Sequence, residues 1–493
     1  MKINGAADDA SGYAISERMR VQIRGLDQAN ANTQNGSSMM KTAEGAVSST
    51  VDILKTLKEK VISAANDDKT DADRQAIQKE LDQSIDQIND NANITYNGKY
   101  LVDGSHNNKI DTATTTTFTN QSLATDTKGS TAFTSMEDRN GNSLNIQADD
   151  SISISFVKQG KTYTTTAKVS DAKDMQTLIF KANVASFKQQ LVEKGYDFNN
   201  ETVAKNFDDL VTDYKKKVDS YTDALKSAID DNAADPAKKY EKVQEAQNKY
   251  RGSLDGDNKD TTVAEFKAEK FGDMTLKAGL DYYVGDDAMI GKDTAGDTVY
   301  TADRTAGVSL HAIEKGVGGQ VSGITISVSN TKGAVQKSVN AALDNFTESV
   351  RAQNESKDNA ITLQVGTKAN QSIRVGLTDM RAEALGLQSS SGDTLNVSTQ
   401  KYANAAINVL DNALQKALDQ QTTIGAIESR LEYTSTNLTT SSQNVQASES
   451  TIRDADMAKE MTSYTKNGVL TQAAQSMLSQ ANQQSSSILD LLQ

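Results

Sequence analysis

Apolar residues recur by threes and fours near the start of the chain, at Met40, Ala43, Val47, Val51, Leu54, Leu57 (or its neighbour Lys58), Val61 and Ala64. That spacing predicts a helix with one face in a core. Asp71 or Asp73 is placed to cap a second helix carrying Ile77, Leu81, Ile85 and Ile88. The stretch ITYNGKYLV, Ile94 to Val102, then alternates around Asn97-Gly98, the strongest short hairpin signal. Near the other end, Ser398 is placed to cap a longer helix holding Ile407, Leu410, Leu414, Ala417, Ile424, Ile427, Leu431, Leu438 and Val445. The spacing follows a heptad, with polar Gln421 and Thr434 at two seam positions. Roughly 50 helical residues extend about 75 Å. A helix that long buries its stripe only against other long helices, so the two chain ends are expected to share a bundle.

The middle has a different texture. Residues 110–135 are a Thr/Ser-rich polar run, expected as extended surface linker or edge strand. Residues 151–169 alternate around Gln159-Gly160 and predict a hairpin. Residues 202–250 are charged and helical in pattern, with Pro236 at the bend of a helical hairpin. Residues 270–330 return to short strands with Gly turns and end in GITISVSN. The expected fold class is therefore mixed: a long α-helical bundle rod formed by both chain ends, with an inserted α+β region. The divisions are 1–108, 109–360, 361–447 and 448–493.

The last division raises its own question. After a polar stretch it becomes amphipathic at Val469, Leu470, Ala473, Met477, Leu478 and Ala481, then at Ile488, Leu489, Leu491 and Leu492. No partner for this stripe is visible in the chain, and an exposed stripe of that size marks an interaction surface. The plainer reading docks it on the chain's own bundle.

Composition narrows the function classes. One proline (Pro236) in 493 residues permits long uninterrupted helices. A net charge of −14 argues against a nucleic-acid backbone or an anionic membrane as the main partner. The absence of cysteine excludes disulfides, thiolate zinc sites and cysteine nucleophiles. No 18-residue apolar run exists to span a membrane. The start, MKINGAADDASGYAI, lacks the apolar core of a Sec signal peptide.

At both ends the residues resemble the bacterial flagellin family. Near the start these are Ala6-Ala7-Asp8-Asp9-Ala10, Ala14-Ile15-Ser16-Glu17-Arg18-Met19-Arg20, Gln22-Ile23-Arg24-Gly25-Leu26 and Thr42-Ala43-Glu44-Gly45-Ala46. Near the end they are Gly376-Leu377-Thr378-Asp379-Met380-Arg381-Ala382, Arg430-Leu431-Glu432, the run from Glu449 to Glu460, and Gln475-Ser476-Met477-Leu478. The matching regions are 1–108 and 361–493.

The resemblance implies a secreted filament subunit, exported by the flagellar type III pathway to the extracellular flagellum. It polymerises with itself and meets filament cap and hook-associated proteins, and its 109–360 insert is variable. It implies that Val469, Leu470, Ala473, Met477, Leu478, Ile488, Leu489 and Leu492 pack in the filament core, and that a flagellin-specific secretion chaperone holds them before export. Family members carry a further helix ahead of the point where this chain opens, so an N-terminal segment is expected to be missing. Close rivals are a hook–filament junction protein, which the TAEGA and Ile452-Arg453-Asp454 matches disfavour, and a surface adhesin binding glycans through 109–360.

The resemblance also points to a surface read by the flagellin-sensing Toll-like receptor. Members that signal present an Arg-x-x-Arg-Glu-Leu-type patch, with Glu and Gln on the next helix. Aligned on Leu54 and Ala64-Ala65-Asn66, this chain offers Thr56, Leu57, Lys58, Glu59 and Lys60, with Glu80 and Gln83 kept. Thr56 lacks a guanidinium and Lys60 puts a charge in place of an apolar anchor, so weak signalling is expected.

Some flagellins carry a metalloprotease insert, which needs His-Glu-x-x-His. Here His311 lies in SLHAIEK without a second histidine near it, His106 being far away. Asp255, Asp257 and Asp260 lack the spacing of a calcium loop and are expected as a solvated turn. No catalytic residue, metal site or cofactor is expected.

Overall fold

The computed structural model describes residues 1–230, 265–268, 271, 274–277, 280–283, 289–292, 298–300, 308–312 and 314–491. The expected bend at Pro236 and the turn of Asp255, Asp257 and Asp260 lie outside the described residues.

The first helix, α1 (Ala10–Ala64), begins well before the stripe that predicts it. Met40, Ala43, Val47, Val51, Leu54, Leu57, Val61 and Ala64 are all buried, as their spacing requires. α2 (Asp71–Ala92) follows and buries Leu81, Ile85 and Ile88. Its cap is neither Asp71 nor Asp73 but Thr70, whose hydroxyl accepts from Asp73 N (3.3 Å) while the Asp73 carboxylate accepts from Thr70 N (2.9 Å). This is a capping box, so Asp73 is the reciprocal partner rather than the cap. The buried Arg74 turns back to satisfy the end of α1, donating to Ala64 O (2.9 Å) and Asn66 O (3.0 Å). The hairpin β1 (Thr95–Tyr96) and β2 (Lys99–Tyr100) forms where expected. Both turn residues have positive φ, Asn97 at 50° and Gly98 at 75°, as a type I′ turn demands.

The insert begins with β3 (Thr117–Asn120). The expected linker is corrected here: all four residues are buried, and the strand is internal to a sheet. The hairpin β4 (Ser151–Lys158) and β5 (Lys161–Lys168) turns at Gln159 (φ 51°) and Gly160 (φ 72°), as predicted. Helices α3 (Met175–Glu193) and α4 (Glu201–Asp230) come next. Short strands follow: β6 (Glu265–Ala268), β7 (Met274–Lys277), β8 (Leu280–Tyr283), β9 (Met289–Lys292), β10 (Thr298–Tyr300), β11 (Val308–Ala312) and β12 (Val321–Ser329). After α5 (Lys337–Leu343) the chain forms β13 (Phe346–Val350), β14 (Ile361–Gln364) and β15 (Ser372–Val375). One sheet has the order β13-β3-β11-β8 and another the order β12-β4-β5. Phe118, Phe133, Phe156, Leu178, Leu310 and Ile326 are among the residues of their common core.

After the short α6 (Ala382–Leu385), α7 (Gln400–Arg453) runs 54 residues. It is capped by Thr399, one residue beyond Ser398, whose hydroxyl accepts from Tyr402 N at 3.3 Å. The seam holds at Leu410, Ala417, Ile424, Leu431 and Leu438, all buried, but Ile407 and Leu414 are only half-buried. Ala406, Val409 and Ala413 take the innermost places, because this half of α7 packs on two sides. On one side Asn408 and Asn412 donate to Ile324 O (2.9 Å) and Ser322 O (2.8 Å) of β12. There Gly323 permits the approach, since a Cβ on it would lie 2.9 Å from Val409 Cγ2. On the other, Lys58 of α1 pairs with Asp411.

The fold class is as expected: long helices from both ends and an α+β region between them. Contacts divide the chain into two compact units. One comprises Met1–Ser38, Thr362–Ile373 and Glu428–Gln493; the other comprises Met39–Ile361 and Arg374–Ile427. In the first, α1 and α7 meet through Leu26, Ala29 and Leu438, with Ser435 donating to Asn30 (2.7 Å) and Ser442 to Asp27 (2.9 Å). In the second, Lys416 of α7 and Glu348 of β13 form an ion pair at 3.3 Å, with side chains only 7% and 6% exposed. Burial lowers the Lys416 pKa, and the Glu348 carboxylate works against that shift.

In the same unit, burial pushes the Asp344 carboxyl up to about 6, although Ile326 N donates to it at 2.9 Å. The folded protein then binds a proton more tightly than the unfolded chain, for which the ordinary value is 3.8. Its contribution is present below that value and is lost as pH rises through about 6. We expect Asp344→Asn, which keeps the acceptor, to raise stability at neutral pH by about 1–3 kcal/mol and to match the wild type under acid conditions. Urea unfolding of both proteins across this range measures the difference.

Candidate functional site

Two surfaces hold the residues that the sequence singles out, and they belong to different units. The first is α8 (Met457–Leu491). Its start is built by residues 453–456. Asp454 N donates to Ser450 O (2.8 Å) and Ser450 Oγ to the Asp454 carboxylate (2.7 Å), which closes α7. Asp456 then caps α8 by accepting from Ala458 N (3.0 Å) and Lys459 N (3.3 Å). The last residue of α7, Arg453, pairs with Glu17 (2.8 Å) and lies over the Tyr13 ring (5.6 Å), and its carbonyl accepts from Lys2 N (2.6 Å). α7 thus runs through the expected division at 447/448.

Every described side chain of α8 through Ser487 is exposed. Val469, Leu470, Met477 and Leu478 are 54–68% exposed, and Ala473 is also exposed. The side chains of Ile488 and Leu489, and Leu492 as a whole, lie outside the described residues. Met457, Met461 and Tyr464 are also exposed, at 66%, 55% and 74%, but on another side of the helix, roughly 120° or more round from Leu470, Ala473 and Met477. Their spacing of four and three was the signal, diluted by Lys459 and Glu460 between them. Burying Val469, Leu470, Met477 and Leu478 would release roughly 6–12 kcal/mol. An association costs about 4–15 kcal/mol in lost freedom, so these side chains offset much of that cost when a partner covers them.

The second surface lies on α1 and α2. Thr56, Glu59, Glu80 and Gln83 are exposed, and Lys58 and Lys60 are half-buried. Leu57 is corrected as a contact residue: it is 2% exposed and belongs to the core stripe. Neighbours on a helix point about 100° apart, so Thr56 and Lys58 flank Leu57 without sharing its direction. Lys60 Nζ reaches across to Glu80 at 3.0 Å, linking the two helices, an exposed pair worth well under about 1 kcal/mol. The Thr56 hydroxyl donates to Asp52 O (3.0 Å) of its own helix and so offers little to a partner. Lys58 is engaged by Asp411.

Nothing else in the described residues gathers catalytic groups. His106 Nδ1 lies 3.1 Å from Asn359 O. The side chain of His311 is outside the described residues. Among the described residues, no group of three or more His, Cys, Asp or Glu is arranged to hold a metal ion. No described helix is long and apolar enough to cross a membrane.

Residues 1–107 match the family model of the bacterial flagellin N-terminal helical region, and 407–492 that of the bacterial flagellin C-terminal helical region. A flagellin of Clostridium tyrobutyricum is 27% identical over 485 residues, covering 98% of this chain and 91% of that protein. The putative flagellin YvzB of Bacillus subtilis (strain 168) is 42% identical over 135 residues, covering 27% of this chain and 80% of that protein. Among solved structures, the flagellar junction protein FlgL of Legionella pneumophila aligns over 90% of this chain and all of that one (100%), at 14% identity and a TM-score of 0.28.

Side-chain direction on α1 makes a sharp prediction. Leu57→Ala should cost about 2–5 kcal/mol, whereas Thr56→Arg, one residue away, should change stability by less than about 0.5 kcal/mol. Parallel chemical denaturation of the two variants reads the contrast.

Proposed function

Because this chain belongs to the flagellin family, we propose that it is a structural subunit of the flagellar filament, acting by geometry in an extracellular helical polymer. The observation that supports this reading is the apolar face of α8, exposed along its described length. A face on each copy that meets a different surface of the next generates an open helical assembly. On this reading Val469, Leu470, Ala473, Met477 and Leu478 are filament-core contacts, with Ile488, Leu489 and Leu492 continuing the stripe. Before export by the flagellar type III route, a flagellin-specific chaperone covers the same face. Filament cap and hook-associated proteins meet the growing polymer, and residues 109–360 face solvent.

Electron microscopy of seeded filament fragments tests this. We expect elongation by this chain or by a version carrying a family-type N-terminal segment. Leu470→Asp combined with Leu478→Asp should abolish it, and since both side chains are exposed the fold should survive. If neither protein elongates, the filament reading fails. A glycan array would then ask whether residues 109–360 serve an adhesin.

The receptor-facing surface has a separate test. Thr56 and Lys60 stand where signalling relatives place a guanidinium and an apolar anchor, and a lost hot spot of about 2 kcal/mol weakens a response roughly 30-fold. Thr56→Arg with Lys60→Leu should therefore raise potency in Toll-like-receptor reporter cells by at least an order of magnitude. Potent signalling by the unmodified chain would sink the proposal.

A further inference from the structure

We propose that Asn97 is a site of spontaneous deamidation, singled out by the fold from five Asn-Gly pairs: Asn4-Gly5, Asn35-Gly36, Asn97-Gly98, Asn140-Gly141 and Asn467-Gly468. In this reaction the backbone nitrogen after the asparagine attacks the side-chain carbonyl carbon Cγ. The new N–Cγ bond closes a five-membered succinimide, and the Cγ–Nδ2 bond breaks. Nδ2 leaves as ammonia, taking up the proton that the backbone nitrogen gives away. Water then opens the ring at one carbonyl or the other, leaving aspartate or isoaspartate. A following glycine favours all five pairs, since it has no side chain to obstruct closure. What separates them is whether the glycine nitrogen is free and whether the asparagine can turn toward it.

Four pairs are restrained. Asn35-Gly36 lies inside α1 and Asn467-Gly468 inside α8, where each glycine N–H belongs to the helical ladder and the dihedrals are fixed. Gly5 N donates to the Asp8 carboxylate at 3.0 Å and Asn4 N to the same oxygen at 2.8 Å. Both bonds go to a carboxylate, which is ionised and accepting throughout alkaline solution. Gly141 N donates to Asp138 O at 3.0 Å, and Asn140 N to the Asp138 carboxylate at 2.8 Å.

Asn97-Gly98 is different. It forms the tip of the β1–β2 hairpin, both residues are exposed, and Gly98 N makes no hydrogen bond among the described residues. Nothing lies within 4 Å of the position a Gly98 Cβ would take. The strands holding the turn are two residues each, so the tip opens at little cost. Aspartate there adds one negative charge to an exposed tip. Isoaspartate routes the backbone through Cβ, lengthening the turn and breaking the Tyr96↔Lys99 register. Buried Leu101 and Val102 confine the change to the tip.

The test holds the full-length protein at mildly alkaline pH, folded and in urea, and follows mass and isoaspartate at the five positions by peptide mapping. In the folded protein, position 97 should convert several times faster than positions 4, 35, 140 or 467, and in urea the five should convert at similar rates. Asn97→Gln, whose longer side chain disfavours ring closure, should leave that peptide free of isoaspartate. Faster conversion at another pair in the folded protein would overturn the proposal. So would an intact folded Asn97 under conditions where the urea-treated chain reacts there.

Discussion

A helix more than fifty residues long carries a continuous apolar stripe that it cannot bury by itself. That constraint governs this molecule. In one compact unit α1 and α7 meet it in each other's company, through Leu26, Ala29 and Leu438; in the other, Lys58 and Asp411 tie the two helices by an ion pair. Their backbones are satisfied internally, so water has to be excluded only along the stripe. The threonines at the interior positions follow the same economy. Thr33 and Thr50 are buried, and their hydroxyls donate to Ala29 O (2.8 Å) and Ala46 O (3.1 Å) one turn back.

Within the insert and where α7 meets it, buried polar groups set the geometry. Asn120 Nδ2 donates to Ala342 O (2.7 Å) and Leu343 O (3.2 Å), closing the end of α5 with a side chain from β3. The Lys416–Glu348 pair fixes α7 against β13 in the same way. Each such contact costs desolvation, and none could be exchanged with a neighbour one residue away without leaving a buried charge or amide unmatched. This gives the insert one register on α7 where apolar packing alone would allow sliding.

How much of this was legible depended on the range of the interaction. Asn97-Gly98 and Gln159-Gly160 marked their hairpins because a type I′ turn is decided by the two residues within it. Caps were legible to one residue: Asp71 and Ser398 each lie one residue from the true caps, Thr70 and Thr399, because several adjacent side chains carry the right oxygen. The threonine run failed for a different reason. Thr117 and Thr119 pair with β11 and β13, nearly 200 or more residues away in sequence. A hydroxyl that finds its partner across a sheet looks, in sequence, like one that faces water. Ile407 and Leu414 failed because a heptad assumes one buried side, whereas α7 has two in that half.

The two candidate surfaces divide along the same line. An apolar stripe announces that something must cover it, since leaving large apolar side chains in water is expensive; it does not say what. α8 was therefore legible as a surface, while the identity of its cover rests on family membership. The patch on α1 was legible as a run of letters, and there the sequence misled. Motif alignment treats Thr56 through Lys60 as one surface, but a helix turns about 100° per residue. Leu57 faces the core and Lys58 turns to Asp411, while Thr56, Glu59 and Lys60 share the outward face. The stability of α1 and the chemistry of its exposed face are thus carried by different residues of a single five-residue stretch.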